Sequence, residues 1–134
     1  MRTALFTVGY EGRQLDEVLA ALAAAKVDRL IDIRALPLSR RRGFSKTPLG
    51  DALRAAGIEY VHLREAGNPF RKDPDPIGQY RTHLPAATVA AVAEEVRGHR
   101  AALLCYEAEV ETCHRGVLAP RVAKKLGIGA PRDL

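Results

Sequence analysis

Two cysteines are all that the 134-residue chain contains. That is too few for a disulfide scaffold, and in a reducing compartment the pair reads as thiols. No apolar run approaches the roughly 20 residues needed to cross a bilayer, so no membrane partner is expected. Residues Met1 to Val8 are too short to be a signal peptide, and Gly9-Tyr10-Glu11 follow too soon. The expectation is a soluble cytoplasmic protein. Internal repeats, low-complexity tracts and linkers are also missing, and 134 residues leave no room for two independent cores. One domain, 1–134, is expected. Hydrophobic residues at 47% and charged residues at 28% are ordinary globular usage, which argues against disorder.

Acidic residues are absent from one particular stretch. Arg34, Arg40, Arg41, Arg42 and Lys46 carry five positive charges with no carboxylate among them, and the net charge of the chain is +5. Outside residues 34–46 the remaining 16 basic side chains balance the 16 acidic ones. The charge therefore predicts one local anion-facing surface and not a generally basic protein.

Alternating short apolar runs and amphipathic stripes organise the rest. Strands are expected at 4–8, 29–33, 58–61 and 101–105, each bounded by polar residues or glycine. Leu15, Val18, Leu19 and Leu22 predict a helix over about 14–25, with Arg13 or Gln14 as a poor cap. Thr47-Pro48 starts a second helix that Gly57 stops. Residues 64–78, rich in proline and glycine, read as a long loop or lid. A short helix over about 77–83 is broken by Pro85, and Val89, Val92, Ala93 and Val96 mark another, closed near Gly98. Thr112 is expected to cap a last helix towards Leu126, with Gly127 as its stop. Pro120 should kink or split that helix. Strand and helix alternate four times, so the fold class is α/β: a three-layer α/β/α sandwich with a mostly parallel sheet of four or more strands.

In such sheets ligands bind at the carboxyl ends of the strands. The polar residues just past each strand are therefore the candidates: Gly9-Tyr10-Glu11, Asp32 to Arg34, His62 to Glu65, and Cys105-Tyr106-Glu107. A helix starting at Thr112 would put Cys113, His114 and Arg115 in its first turn, where free amides and the dipole favour an anion. Arg115 can add bidentate donors. A cysteine in that setting has its thiolate favoured. The bland alternatives are two packed cysteines, an internal Asp32–Arg34 pair, a polar turn at Tyr10-Glu11, and a hydrogen-bonded His62. His62 is otherwise a candidate general acid or base.

Val8-Gly9-Tyr10-Glu11-Gly12-Arg13, Ile31-Asp32-Ile33-Arg34, Arg42-Gly43-Phe44-Ser45-Lys46, Ile58 to Leu63, and Cys105-Tyr106-Glu107 with Cys113-His114-Arg115 form a specific combination. It resembles the bacterial and archaeal family of domain of unknown function 488, over about residues 5–127. The family's activity is not established, so the resemblance implies no reaction. Gln14, in place of the usual Ser-like cap, and Pro120 depart from its pattern.

Three chemistries compete for the cysteine cluster. A phosphatase-like or rhodanese-like cradle matches in layout. It needs Cys, five residues, then Arg, however, whereas nine residues separate Cys105 from Arg115, and Glu107, Glu109 and Glu111 would repel a phosphate. Zinc could draw on Cys105, Cys113, His114 and His62, but no Cys-x-x-Cys exists and neighbours on a helix point apart, so neither metal nor cofactor is assigned. The favoured expectation is an anion-binding pocket, phosphate or nucleotide-like, at the strand edge. If it is catalytic, Cys105 or Cys113 is the nucleophile, with His114, Glu107 and His62 for proton transfer. Arg115, Arg34, Tyr10, Glu11 and Asp32 would hold the anion. The rival is a non-catalytic nucleic-acid-binding module, with Arg40, Arg41, Arg42 and Lys46 on phosphates and Phe44 stacking a base.

Overall fold

The structure is a computed structural model and describes residues 2–134. Five strands form one parallel sheet: β1 (Ala4–Gly9), β2 (Arg29–Asp32), β3 (Glu59–His62), β4 (Arg100–Cys105) and β5 (Arg132–Asp133). Their order across the sheet is β3-β2-β4-β1-β5. The helices are α1 (Leu15–Ala24), α2 (Lys46–Ala55), α3 (Pro76–His83), α4 (Ala86–Val96) and α5 (Arg115–Leu126).

Strand alternation divides the core in two. Leu5, Ile31, Ala101 and Leu103 face one side, where they pack against Val89, Val92 and Val96 of α4 and Val117, Leu118 and Val122 of α5. Phe6, Val8, Leu30, Ala102 and Leu104 face the other, against Val18 and Leu22 of α1 and Leu49 and Leu53 of α2. Both faces are covered, which is why the strands read as continuous apolar runs. The result is the three-layer α/β arrangement expected from sequence, with an all-parallel sheet.

The expected bounds shift in places. The Glu17 carboxylate accepts from the Gln14 amide at 2.7 Å, so α1 has a reciprocal cap that the residue at the cap position did not suggest. Asp75, preceding Pro76, caps α3 by accepting from the Gly78 amide. Thr112 does not cap α5. It ends a short 3-10 turn over Val110–Thr112, and α5 begins at Arg115 after the extended Cys113. Pro120 lies inside α5, exposed, and the helix runs through it without splitting. The two-residue strand Arg132–Asp133 has no apolar pattern to announce it; it borders β1, where Thr7 Oγ1 donates to Asp133 at 2.6 Å.

The topology opens a crevice above the middle of the sheet. From β1 and β2 the chain turns towards the α1/α2 face, whereas from β4, which lies between them, it turns towards α5. Neighbouring loops that leave in opposite directions part at the carboxyl edge, where open α/β sheets bind ligands.

Candidate functional site

A cleft of about 550 Å³ occupies that crevice. Tyr10 comes from the end of β1, Arg34 to Arg41 from the β2 loop, Cys105 to Glu107 from the β4 loop, and Thr112 and His114 from the approach to α5. Asn68, Arg71, Pro76 and Ile77 close it from the proline-rich segment. Arg34, Arg40, Arg41 and Arg71 line the cleft with one carboxylate, Glu107, among them. The large hydrophobic side chains that stand exposed among the described residues, Leu36 (58%), Leu38 (70%) and Tyr106 (44%), all belong to its lining.

Asp32 and Arg34 form the rigid wall behind it. The fully buried Asp32 carboxylate accepts from Arg34 Nε at 2.8 Å, Arg34 Nη2 at 2.7 Å, the Arg34 amide at 3.1 Å and Tyr60 Oη at 2.6 Å. Arg34 Nη1 donates to Phe44 O at 2.6 Å and Tyr10 Oη at 3.0 Å. Burial works against the Arg34 charge; the hydrogen bond and charge of Asp32 outweigh it, with help from Tyr10, so the guanidinium titrates above its already high range. Burial, then the Asp32 carboxylate, push the Tyr60 hydroxyl up as well. The internal ion pair is thus real, and Arg34 offers the cleft a fixed charge whose donors are engaged within the protein.

Arg115 departs from its expected part. It is fully buried, and its guanidinium holds the chain itself: Glu107 O at 2.6 Å, Ala108 O at 3.1 Å, Asp133 Oδ1 at 3.2 Å and Cys105 Sγ at 3.0 Å. No N–H is turned to the cleft, so the anion-holding role gives way to one of shaping the β4 loop. Gly9 is what admits this guanidinium. A Cβ there would stand 1.9 Å from Glu107 O and 3.0 Å from Arg115 Nη1. Glu11 also acts on that loop, accepting from the Ala108 amide at 3.0 Å, and it lies outside the cleft.

The cysteines require another correction. Cys105 and Cys113, each about 1% exposed, are joined by a disulfide, with Cα atoms 7.2 Å apart, so the free thiols expected from sequence are not what the structure contains. In this state neither sulfur is a nucleophile. Cys105 reaches the cleft lining; Cys113 does not. His114 Nε2 lies 2.8 Å from Ile33 O, and a carbonyl can only accept, so the proton sits on Nε2 and the Nδ1 lone pair is free. Nδ1 faces Cys113 Sγ at 3.7 Å. Burial lowers the His114 pKa to about 4, with Arg115 and Arg71 adding to the shift against the Ile33 carbonyl. The ring is neutral at pH 7. No Cys-x-x-Cys pair exists, but the helical divergence expected of Cys113 and His114 does not hold, because both precede α5. Their side chains converge, and ligand atoms of Cys105, Cys113 and His114 lie within 4.8 Å of one another.

His62 is not part of this group. Its Nε2 is 2.8 Å from Arg34 O, and it lies outside the cleft lining. Within the basic loop, Arg40 and Arg41 line the cleft, whereas Arg42 and Lys46 are exposed elsewhere. Phe44 cannot stack a base. It is fully buried, with its ring 4.3 Å from that of Tyr10 and nearly parallel to it. The aromatic surface that does reach the cleft is Tyr106, edge-on to Tyr10 at 5.4 Å. Sequence reasoning missed Arg71, Leu36 and Leu38, and it gave Tyr106 no role although its place directly after β4 marks it as a candidate. Arg71 sits in a segment that reads as a long loop or lid.

No helix among the described residues is long and apolar enough to cross a membrane. No curated protein and no solved structure matches the chain. The model of one family, Domain of unknown function DUF488, matches residues 14–122, a span that contains every cleft residue except Tyr10. On that match the chain belongs to the DUF488 family.

Proposed function

We propose that the cleft binds a phosphorylated small molecule with a flat apolar part, such as a mononucleotide. The observation that carries this reading is the composition of the lining: Arg40, Arg41 and Arg71, beyond the Arg34 that Asp32 already pairs, against one glutamate, beside the exposed Leu36, Leu38 and Tyr106. Guanidinium groups suit phosphate, and Tyr106 with the two leucines offers a surface for a base or similar ring. A volume of about 550 Å³ falls in the range of small-molecule sites. Arg41, which lines the cleft, also has a buried Nε with no partner within the protein. The alternative, a nucleic-acid surface spread over the whole basic loop, is less favoured because Phe44 is buried and Arg42 and Lys46 lie outside the cleft lining.

Calorimetric titration tests the reading with AMP, inorganic phosphate and a single-stranded oligonucleotide. AMP should bind, and inorganic phosphate should bind at least about tenfold more weakly, because it leaves the apolar side chains uncovered. Arg40→Ala with Arg71→Ala should cost about ten- to a hundredfold, the loss of charged hydrogen bonds. Absence of binding, or an unchanged double variant, overturns the proposal. An oligonucleotide that binds more tightly with length, and is weakened most by Arg42→Ala and Lys46→Ala, establishes the nucleic-acid alternative.

A further inference from the structure

We propose that Cys105, Cys113 and His114, once the disulfide is reduced, hold a zinc ion on the floor of the cleft. The three ligand atoms already lie within 4.8 Å of one another. Each residue is more than nine-tenths buried. Two sulfurs and one imidazole nitrogen form a donor set that zinc accepts and that hard cations, which need oxygen, do not.

The surroundings of the ligands fit the same ion. Ile33 O holds the Nε2 proton of His114 and leaves Nδ1, the atom next to Cys113 Sγ, with its lone pair free. A backbone carbonyl behind the imidazole is a usual outer partner of a metal-bound histidine. The sulfurs have donors of their own: the Arg115 amide at 3.4 Å from Cys113 Sγ and Arg115 Nη1 at 3.0 Å from Cys105 Sγ. Such N–H groups stabilise thiolate charge, and two thiolates with a neutral imidazole balance Zn²⁺.

Cys105 and His114 border the cleft, so a fourth coordination position faces it. Three protein ligands with one open position is the pattern of catalytic zinc. That position would be filled by water or by an oxygen of a cleft ligand.

The balance of the step is simple. Two equivalents of a thiol reductant, or one dithiol, deliver two electrons and two protons to the Cys105–Cys113 bond and leave as a disulfide. Zinc then displaces the two thiol protons to solvent. In a tetrahedral site the sulfurs part to about 3.8 Å, each about 2.3 Å from the metal. The disulfide-bonded protein has no thiolate to give, so the site exists in one redox state only.

The test is a titration of the whole protein with Co²⁺ and Zn²⁺, in two samples: one reduced with dithiothreitol and desalted under argon, the other left oxidised. The reduced protein should take up one Co²⁺ per chain with sulfur-to-cobalt absorption in the near ultraviolet. Zn²⁺ should displace it and protect both thiols from iodoacetamide. The oxidised protein should show neither effect. Cys113→Ser and His114→Ala should weaken Zn²⁺ binding at least hundredfold. If those variants do not fold, the comparison of the two wild-type samples decides. No uptake by the reduced protein overturns the proposal, as does equal uptake by both samples or cobalt bound without sulfur absorption. The outcome is independent of whether AMP binds in the cleft.

Discussion

Asp32 is the residue on which the cleft wall depends most. Its carboxylate carries both Arg34 and Tyr60 in a fully buried setting. Asp32→Asn leaves the Arg34 guanidinium buried without its counter-charge, which should cost about 3–5 kcal/mol in urea unfolding. A loss below about 1 kcal/mol would mean that Arg34 finds another partner. His114 links the same region to pH. Its folded pKa of about 4 lies below the ordinary 6.5, so the unfolded chain binds the extra proton between those values. The stability of the disulfide-bonded, metal-free protein is therefore fullest above about pH 6.5 and falls by about 3 kcal/mol by pH 4. His114→Gln should flatten that part of the pH profile. The candidate positions were legible at this scale because chemistry follows residue type and strand ends. The roles were not, since whether a guanidinium faces a ligand or its own backbone depends on neighbours distant in sequence, as Asp133 is from Arg115.

Gly9 matters through the elements it lets approach one another. It ends β1, and the β4 loop passes so close that Glu107 O occupies the place of a Cβ. Gly9→Ala must push that loop outward and disturb the Arg115 hydrogen bonds. A loss of about 1–3 kcal/mol is expected from such overpacking, seen as a lower thermal midpoint, and a neutral substitution would refute the close approach. Elements were the most legible part of the chain. Apolar patterning together with cap, stop and breaker residues located all five helices and four of the five strands. What it missed was short or governed by backbone geometry: the two residues of β5, and the start of α5, which the 3-10 turn and the extended Cys113 move two residues, from Cys113 to Arg115.

For the whole molecule, the net charge is confined to one loop, and the disulfide closes a loop beside it. Reduction releases a cross-link of eight-residue separation. Chain entropy puts that at about 2.5 kcal/mol, so the unfolding free energy from urea titration should fall by that amount with dithiothreitol, and the midpoint should move to lower urea with it. A midpoint unmoved by reduction would mean that packing, not the bond, holds the β4 loop. Strand order was not legible, because it depends on which apolar runs pair, and one sequence carries no record of pairing. That order also bears on how the chain folds. β1 and β2 are made first yet never touch; β4 lies between them, with Ala4 opposite Arg100 and Arg29 opposite Ala101. β2 and β3 can pair early as neighbours, but β1 has no partner until β4 arrives. The loop-closure cost is thus met in one late event, and slow folding follows from such distant pairings. β4 is the keystone of the sheet, and the cleft above it has no walls in register until that strand is in place.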